Sequence, residues 1–143
     1  MNVYVIDASV ALRFLLVEDL SDMAELVLED FLGETVDLKA PELAVYEVGN
    51  TLGRAVKQRL INLDEAAEKL SYYLRLRIGS VGLDEGEDKE ALRWGAKNDA
   101  TFYDSVYVEA SKKIGATLVT ADGVLYEKAL GEVPVLHLKD YKK

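Results

Sequence analysis

The feature that most constrains the fold is an alternation of short apolar runs with longer amphipathic segments. The runs are predicted strands and span residues 3–6, 35–38, 80–83, 116–120 and 133–138. Between them, apolar residues recur at helical spacing. No obvious hairpin turn joins two runs, so the pattern predicts an α/β fold, in which a central parallel sheet is covered by helices on both faces.

The helices predicted from this spacing have recognisable start signals. They span residues 10–17, 21–32, 41–60, 62–74, 87–97 and 103–114, with a short one ending at residue 130. Ser21 is the expected N-cap of the second helix. Pro41 suits the first turn of the third helix. Asn62 and Glu65 have the spacing of a capping box at the start of the fourth helix.

Composition narrows the class of protein. The 143 residues are 50% hydrophobic and 30% charged, which is typical of one globular domain over residues 1–143. No apolar stretch is long enough to span a membrane and no signal peptide is recognisable, so a soluble cytoplasmic protein is expected. The chain has no cysteine and one histidine, His137, which is expected to be a satisfied strand residue. Any metal site must therefore be built from oxygen ligands.

The charge balance bears on the substrate. There are 26 acidic and 17 basic residues, which gives a net charge of −9. Nucleic-acid binders usually present a basic face, so this balance argues against a polyanionic ligand. However, an enzyme that gathers carboxylates around divalent cations can be acidic overall and still act on phosphodiesters.

Two acidic residues follow predicted strands directly. Asp7 follows the first strand and Asp122 follows the fourth after one alanine. Ligands of parallel α/β sheets bind at the carboxyl ends of the strands, so neighbouring strands would bring both carboxylates to one edge. Taken singly, each has a structural explanation, because Asp7 and Ser9 can cap a helix and Asp122-Gly123 can form a turn.

A third acidic candidate, Glu47, lies on the third predicted helix. Glu47, Asn50 and Arg54 share one polar stripe of that helix, although a solvated face would give the same pattern. Gly49 and Gly53 each cost about 1 kcal/mol relative to alanine within a helix. We therefore expect a close approach to the backbone there, for which tight helix packing is an equal explanation.

The fourth acidic candidate is Asp104, in the first turn of the sixth predicted helix. The unpaired N–H groups and the helix dipole favour an ionised carboxylate at this position. An ordinary helix-start aspartate is the alternative explanation.

Taken in order, these segments resemble the successive motifs of PIN-domain nucleases, most closely the small VapC-type ribonuclease toxins. The matching segments are Ile6-Asp7-Ala8-Ser9, Glu47-Val48-Gly49-Asn50, Tyr103-Asp104-Ser105-Val106-Tyr107 with Ala110, and Leu118-Val119-Thr120-Ala121-Asp122 before Leu125. The resemblance extends from Val3 to Leu138. It implies a three-layer fold with strand order 3-2-1-4-5 and metal-dependent hydrolysis of RNA.

The resemblance also implies roles for individual residues. The metal-binding and catalytic positions correspond to Asp7, Glu47, Asp104 and Asp122, and the polar positions beside them correspond to Ser9, Asn50 and Thr120. One or two Mg²⁺ or Mn²⁺ ions are the implied cofactor. A homodimer and a cognate antitoxin protein are the implied partners. Ser105 stands where alanine often follows the aspartate, a departure that removes no ligand.

An RNA substrate would require a local positive track on this acidic protein. Arg13, Arg54 and Lys57 are the candidates, with a solvated helix surface as an equally good explanation. Alternative functions are a catalytically inactive PIN-like module that binds RNA or protein, and a housekeeping PIN nuclease in RNA processing. A phosphatase or receiver domain is disfavoured, because Ala8 and Ser9 stand where a partner acid for Asp7 would be needed.

Overall fold

The computed structural model describes residues 1–142, and its strands form a five-stranded sheet. The strands are β1 (Asn2–Ile6), β2 (Val36–Ala40), β3 (Gly79–Ser80), β4 (Thr117–Thr120) and β5 (Val135–His137). All neighbouring strands are parallel, in the order β3-β2-β1-β4-β5. This confirms the predicted strand order and the α/β class.

Seven α-helices connect the strands in the part of the chain that the structure describes. They are α1 (Ala8–Arg13), α2 (Ser21–Leu32), α3 (Leu43–Lys57), α4 (Leu63–Arg75), α5 (Glu85–Asn98), α6 (Phe102–Ile114) and α7 (Gly123–Ala129), and a 3₁₀ turn follows at Leu138–Asp140. None of the helices within residues 1–142 has the length and apolar character needed to cross a bilayer.

The core lies on both faces of the two central strands. Val5 and Ile6 of β1 are fully buried, as are Leu118 and Val119 of β4. Successive residues of a strand point to opposite faces, so both faces of these strands are covered. Each fully buried valine, leucine or isoleucine contributes about 1.5–3 kcal/mol relative to an exposed one. Asp7 and Asp122 follow the carboxyl ends of β1 and β4, so both residues are anchored by strands that are buried on both faces.

The first helix is shorter than predicted. Helix α1 ends at Arg13, whereas the hydrophobic pattern predicted residues 10–17. The predicted N-cap role of Ser21 is wrong, because Leu20 occupies the N-cap in a left-handed conformation and makes no side-chain cap bond. The Ser21 hydroxyl instead accepts the Glu18 amide at 2.8 Å and donates to the Leu16 carbonyl at 3.1 Å. It therefore stabilises the turn between α1 and α2.

The ends of other elements agree with the sequence to different degrees. Asn62 and Glu65 form the predicted capping box, with backbone-to-side-chain distances of 2.8 and 3.4 Å. Strand β3 is limited to Gly79–Ser80, against the predicted 80–83. Strand β5 ends at His137, whose Nδ1 accepts the Lys139 amide at 3.1 Å and starts the 3₁₀ turn. His137 is thus a satisfied residue, as predicted.

Candidate active site at the carboxyl edge of the sheet

Asp7 is a buried acidic side chain held by several hydrogen bonds. It follows β1 directly and caps α1, and its side chain is buried. Oδ1 accepts the Ser9 hydroxyl at 2.6 Å and the Val10 amide at 3.3 Å, while Oδ2 accepts the Thr120 hydroxyl at 2.6 Å. The helix-cap explanation is correct, and it coexists with a position at the predicted edge. These three hydrogen bonds, from α1 and from β4, leave this carboxylate little freedom to rotate.

Ser9 and Thr120 connect the ends of the two central strands. The Ser9 hydroxyl oxygen accepts the Ala121 amide at 2.9 Å, and the Thr120 hydroxyl oxygen accepts the Asp122 amide at 3.0 Å. The two hydroxyl oxygens lie 3.4 Å apart. Each hydroxyl therefore holds the Asp7 carboxylate on one side and the backbone that leads to Asp122 on the other.

Asp122 is an exposed residue at the start of α7. Its Oδ1 accepts the amides of Val124 and Leu125 at 2.9 and 3.2 Å, so it caps this helix. The pKa of Asp7 is raised to about 6, first by burial and in addition by the negative charge of Asp122. The hydrogen bonds that Asp7 accepts oppose this rise. The two carboxyl groups are therefore close enough to repel each other, as the predicted edge requires.

Asp104 connects the site to helix α6. Thr101 caps this helix by accepting the Asp104 amide at 3.0 Å, which places Asp104 in the first turn. Its carboxyl group is half-buried, and its pKa is raised by burial and then by the charges of Asp122 and Glu47. Asp104 thus lies within electrostatic range of acidic side chains on α3 and at the end of β4.

Glu47 has a partner that sequence reasoning missed. The hydroxyl of Tyr107, a buried residue of α6, donates to Glu47 Oε1 at 2.6 Å. Burial raises the pKa of the Tyr107 hydroxyl, and the Glu47 carboxylate raises it further. The sequence placed Tyr107 on the inner face of its helix as a packing residue. Its position three residues after Asp104, on the same helix face, is the signal that could have linked it to the site.

Three further polar residues of α3 were predicted to belong to the site. Asn50, Arg54 and Lys57 are exposed. The expected close approach at Gly49 and Gly53 is wrong, because a Cβ added to either would meet no atom within 4 Å. These glycines therefore provide no argument for the position of Glu47, which is instead fixed by its contact with Tyr107.

Two basic residues near the site donate hydrogen bonds to backbone carbonyls. Arg13 donates from Nε to the Asp19 carbonyl at 2.6 Å and from Nη1 to the Ser9 carbonyl at 2.8 Å, which fixes the end of α1. Lys128 of α7, which sequence reasoning missed, donates to the Asp99 carbonyl and lies near enough to Asp104 to oppose the rise in its pKa. No motif spacing in the sequence pointed to this lysine.

The donor chemistry of the cluster suits a hard divalent cation. Its ligands would be carboxylate oxygens, which Mg²⁺ and Mn²⁺ prefer. Two carboxylates about 4 Å apart repel by roughly 4 kcal/mol at an effective dielectric of 20, a cost that a cation would relieve. In residues 1–142, however, no three acidic or histidine side chains are arranged to hold an ion. The residues fit such an ion by the chemistry of their oxygens and by the mutual effect of their charges.

Comparison with known proteins defines the class. The PIN domain profile matches residues 4–130, and the chain belongs to this family. The chain is also similar to Ribonuclease VapC3 of Pyrobaculum aerophilum, with 31% identity over 128 residues that cover 87% of this chain and 92% of the relative.

Solved structures share the fold. PAE2754 from Pyrobaculum aerophilum has 27% identity and a TM-score of 0.66, and the match covers 96% of this chain and 92% of that one. FitAcB from Neisseria gonorrhoeae has 17% identity and a TM-score of 0.67 over 96% of this chain and 99% of that one. FitAB bound to an IR36 DNA fragment matches at 17% identity with a TM-score of 0.66, over 94% of each chain. The sheet order and helical layers described above are therefore those of PIN-domain proteins.

Proposed function

We propose that this protein is a Mg²⁺- or Mn²⁺-dependent endoribonuclease. The observation that carries this proposal is the electrostatic coupling of acidic side chains from separate elements of a PIN domain. Besides burial, the charges of Asp122 and Glu47 raise the pKa of Asp104, and the charge of Asp122 raises the pKa of Asp7. A structural role for each acid would not require their charges to meet at one edge of the sheet. The similarity to a protein named as a ribonuclease supports RNA as the substrate.

In this proposal, Asp7, Glu47, Asp104 and Asp122 bind one or two cations. Mg²⁺ or Mn²⁺ supplies polarisation of the phosphodiester and activation of a water molecule for in-line attack. Attack by water would leave a 5′-phosphate and a 3′-hydroxyl. None of these residues is a histidine that could act as a base. The four carboxylates would therefore be the protein groups that balance the charge of the cations during the reaction.

The chain's own residues would prepare the site before substrate arrives. Ser9 and Thr120 each donate a short hydrogen bond to one oxygen of Asp7, which holds that carboxylate in one orientation. Their bonds to the backbone before Asp122 fix the spacing between the ends of β1 and β4. Such preorganisation lowers the cost of gathering like charges around the reacting phosphate.

We further propose that RNA contacts the exposed basic residues of α3. Arg54 and Lys57 are exposed and lie on the helix that carries Glu47. Arg13, whose guanidinium already binds two backbone carbonyls, would contribute mainly through its charge. Asn50, on the same helix and also exposed, would contact the substrate or a water molecule.

The biological role proposed is that of the toxin in a type II toxin-antitoxin pair. The similarity to VapC3 supports this role, and a homodimer with a cognate antitoxin protein as partner would follow from it. A housekeeping PIN nuclease and an inactive RNA-binding or protein-interaction module are the alternatives. Growth arrest on expression, relieved by the product of an adjacent reading frame, would distinguish a toxin from a housekeeping enzyme.

Incubation of the purified protein with a mixed pool of single-stranded and structured RNA tests the nuclease activity. We expect cleavage with Mg²⁺ or Mn²⁺ and none in excess EDTA. Asp104→Asn, purified in parallel, controls for a contaminating ribonuclease. Cleavage that persists in excess chelator and is absent from Asp104→Asn would contradict the metal mechanism. Binding without cleavage under every metal condition would favour the inactive module.

A further inference from the structure

The contact between Tyr107 and Glu47 restricts what Glu47 can offer to a metal ion. The hydroxyl oxygen lies 2.6 Å from Oε1, a distance typical of a charge-assisted hydrogen bond to a carboxylate. Such a bond is stronger than a hydrogen bond between neutral groups. Tyr107 is only 2% exposed, so water cannot easily replace Glu47 as its acceptor. Loss of this bond would leave a buried hydroxyl without a partner, which is costly.

The bond also divides the two oxygens of Glu47 between two tasks. Within residues 1–142, the hydrogen bond described for the Glu47 side chain is the one from Tyr107 to Oε1. Oε2 takes no part in that bond, and the negative charge of Glu47 acts on the Asp104 carboxyl group. A carboxylate held in this way presents one oxygen to the cluster.

The number of oxygens that each carboxylate offers affects metal selectivity, because divalent cations differ in the number and geometry of the ligands they require. Ca²⁺ takes six to eight oxygen ligands and readily binds carboxylates through both oxygens. Mg²⁺ requires a nearly ideal octahedron and takes one oxygen from each of one or two carboxylates. We propose that Tyr107 is a positioning residue that limits Glu47 to one free oxygen and so makes the site select Mg²⁺ over Ca²⁺. This inference rests on the proposed function, because it requires Glu47 to bind the metal.

The molecule contains a matched control for this hydroxyl. Tyr141 is also buried and donates to Asp30 Oδ2, again at 2.6 Å, and Lys142 binds the same Asp30 oxygen at 3.2 Å. This pair joins the end of the chain to α2 and includes none of the four candidate ligands. Tyr141→Phe therefore removes a bond of the same kind and length from a place where no metal is proposed.

Thermal melts of the EDTA-treated wild type and of Tyr107→Phe and Tyr141→Phe, titrated with MgCl₂ or CaCl₂, test the inference. A ligand of the folded state raises the melting temperature according to its concentration over Kd, so each titration gives an apparent Kd without any activity measurement. Changes to the partners of metal ligands alter affinity by about 10–100-fold. We expect the ratio of Kd for Ca²⁺ to Kd for Mg²⁺ to fall about tenfold in Tyr107→Phe and to stay constant in Tyr141→Phe.

A double variant shows whether the effect passes through Glu47. In a Glu47→Gln background, Tyr107→Phe should leave the ratio unchanged, because the carboxylate that it positions is gone. An equal ratio in the wild type and Tyr107→Phe would overturn the inference, even if the apo protein loses stability. A change that persists in the Glu47→Gln background would also overturn it. No response of the wild type to either ion would instead contradict the proposed metal site itself.

Discussion

The acidic residues of this protein occupy two contrasting environments. Between α5 and α6, the Glu87 carboxylate accepts a hydrogen bond from the Lys113 ammonium group at 2.8 Å and one from the Asp84 amide at 2.9 Å. At the carboxyl edge of the sheet, Asp104 faces Glu47 and Asp122 instead. The pKa of Glu87 is lowered, mainly by its bond to the Asp84 backbone and then by Lys113, whereas burial and neighbouring charges raise the pKa of Asp104.

The contrast separates carboxylates whose charge stabilises the fold from carboxylates whose charge destabilises it. Glu87 completes a capping box for α5 and forms an ion pair with Lys113 of α6, so its negative charge stabilises the fold. Asp104 caps nothing with its side chain, and its charge is disfavoured where it lies. Proteins retain such costs mainly at functional sites. The neutral isosteres Asp104→Asn and Glu87→Gln compare the two environments directly.

The largest expected difference between these variants is in catalysis. Asp104→Asn should reduce RNA cleavage by at least about a hundredfold, in the range expected when a charged group that stabilises the transition state is removed. Glu87→Gln should cleave at the wild-type rate within about twofold. Initial rates on one RNA substrate at saturating Mn²⁺ measure both. Equal activity of Asp104→Asn and the wild type would make Asp104 an ordinary residue of the first turn of α6 with no part in catalysis.

The next difference concerns metal binding. At a hundredfold excess of Mn²⁺ over Kd, the wild type and Glu87→Gln should each gain about 2.7 kcal/mol of stability relative to the EDTA-treated protein. Asp104→Asn should gain much less, because it lacks one ligand and one negative charge. Melting curves with EDTA and with Mn²⁺ provide the measurement. A full Mn²⁺ response in Asp104→Asn would separate this residue from the metal site.

A smaller difference is expected in the metal-free fold. Asp104→Asn removes repulsion from Glu47 and Asp122, so in EDTA at neutral pH it should melt at or above the wild-type temperature. Glu87→Gln keeps the side-chain acceptor of the capping box and loses the ion pair to Lys113, so it should melt slightly below the wild type. The two shifts should have opposite signs. Destabilisation by Asp104→Asn without metal would show that its charge is favourable to the fold.

The smallest effect is the pH dependence of these shifts. The folded-state pKa of Asp104 is raised above its ordinary value of 3.8, so the charged form costs stability only as pH rises above that value. The advantage of Asp104→Asn in EDTA should therefore grow from pH 4 to pH 7. Glu87 has a lowered folded-state pKa, so its stabilisation is present above its ordinary value of 4.5 and is lost as pH falls. The deficit of Glu87→Gln should accordingly shrink toward pH 4.

Features set by neighbours along the chain could be predicted from the sequence. The capping box of Asn62 and Glu65 depends on residues three positions apart, and it forms as predicted. The positions of Asp7 and Asp122 follow from the two strands that precede them. The strand order itself came from the resemblance of the ordered motifs, because hydrophobic periodicity identifies strands without stating which of them are neighbours.

Features set by distant contacts could not be predicted. Tyr107 and Glu47 are 60 residues apart in sequence, and only the assembled fold brings their side chains together. The guanidinium of Arg13 binds carbonyls that a single sequence cannot identify as its partners. The open space at Gly49 and Gly53 likewise depends on what lies opposite α3. The sequence indicated which residue types the site would use, while their partners depend on the assembled fold.

The bond from Thr120 to Asp7 has a consequence for biosynthesis. It joins residues 113 positions apart, and it supplies one of the two hydroxyl donors that fix the buried carboxylate. A nascent chain with only its first 115 residues outside the ribosome already carries three of the four acids but lacks β4. Until that strand emerges, Asp7 has no partner on its Oδ2 side and Asp122 is still inside the ribosome. If the protein cleaves RNA as proposed, it would become competent only after residues 117–122 have left the ribosome, which delays any attack on the RNA of the translating ribosome.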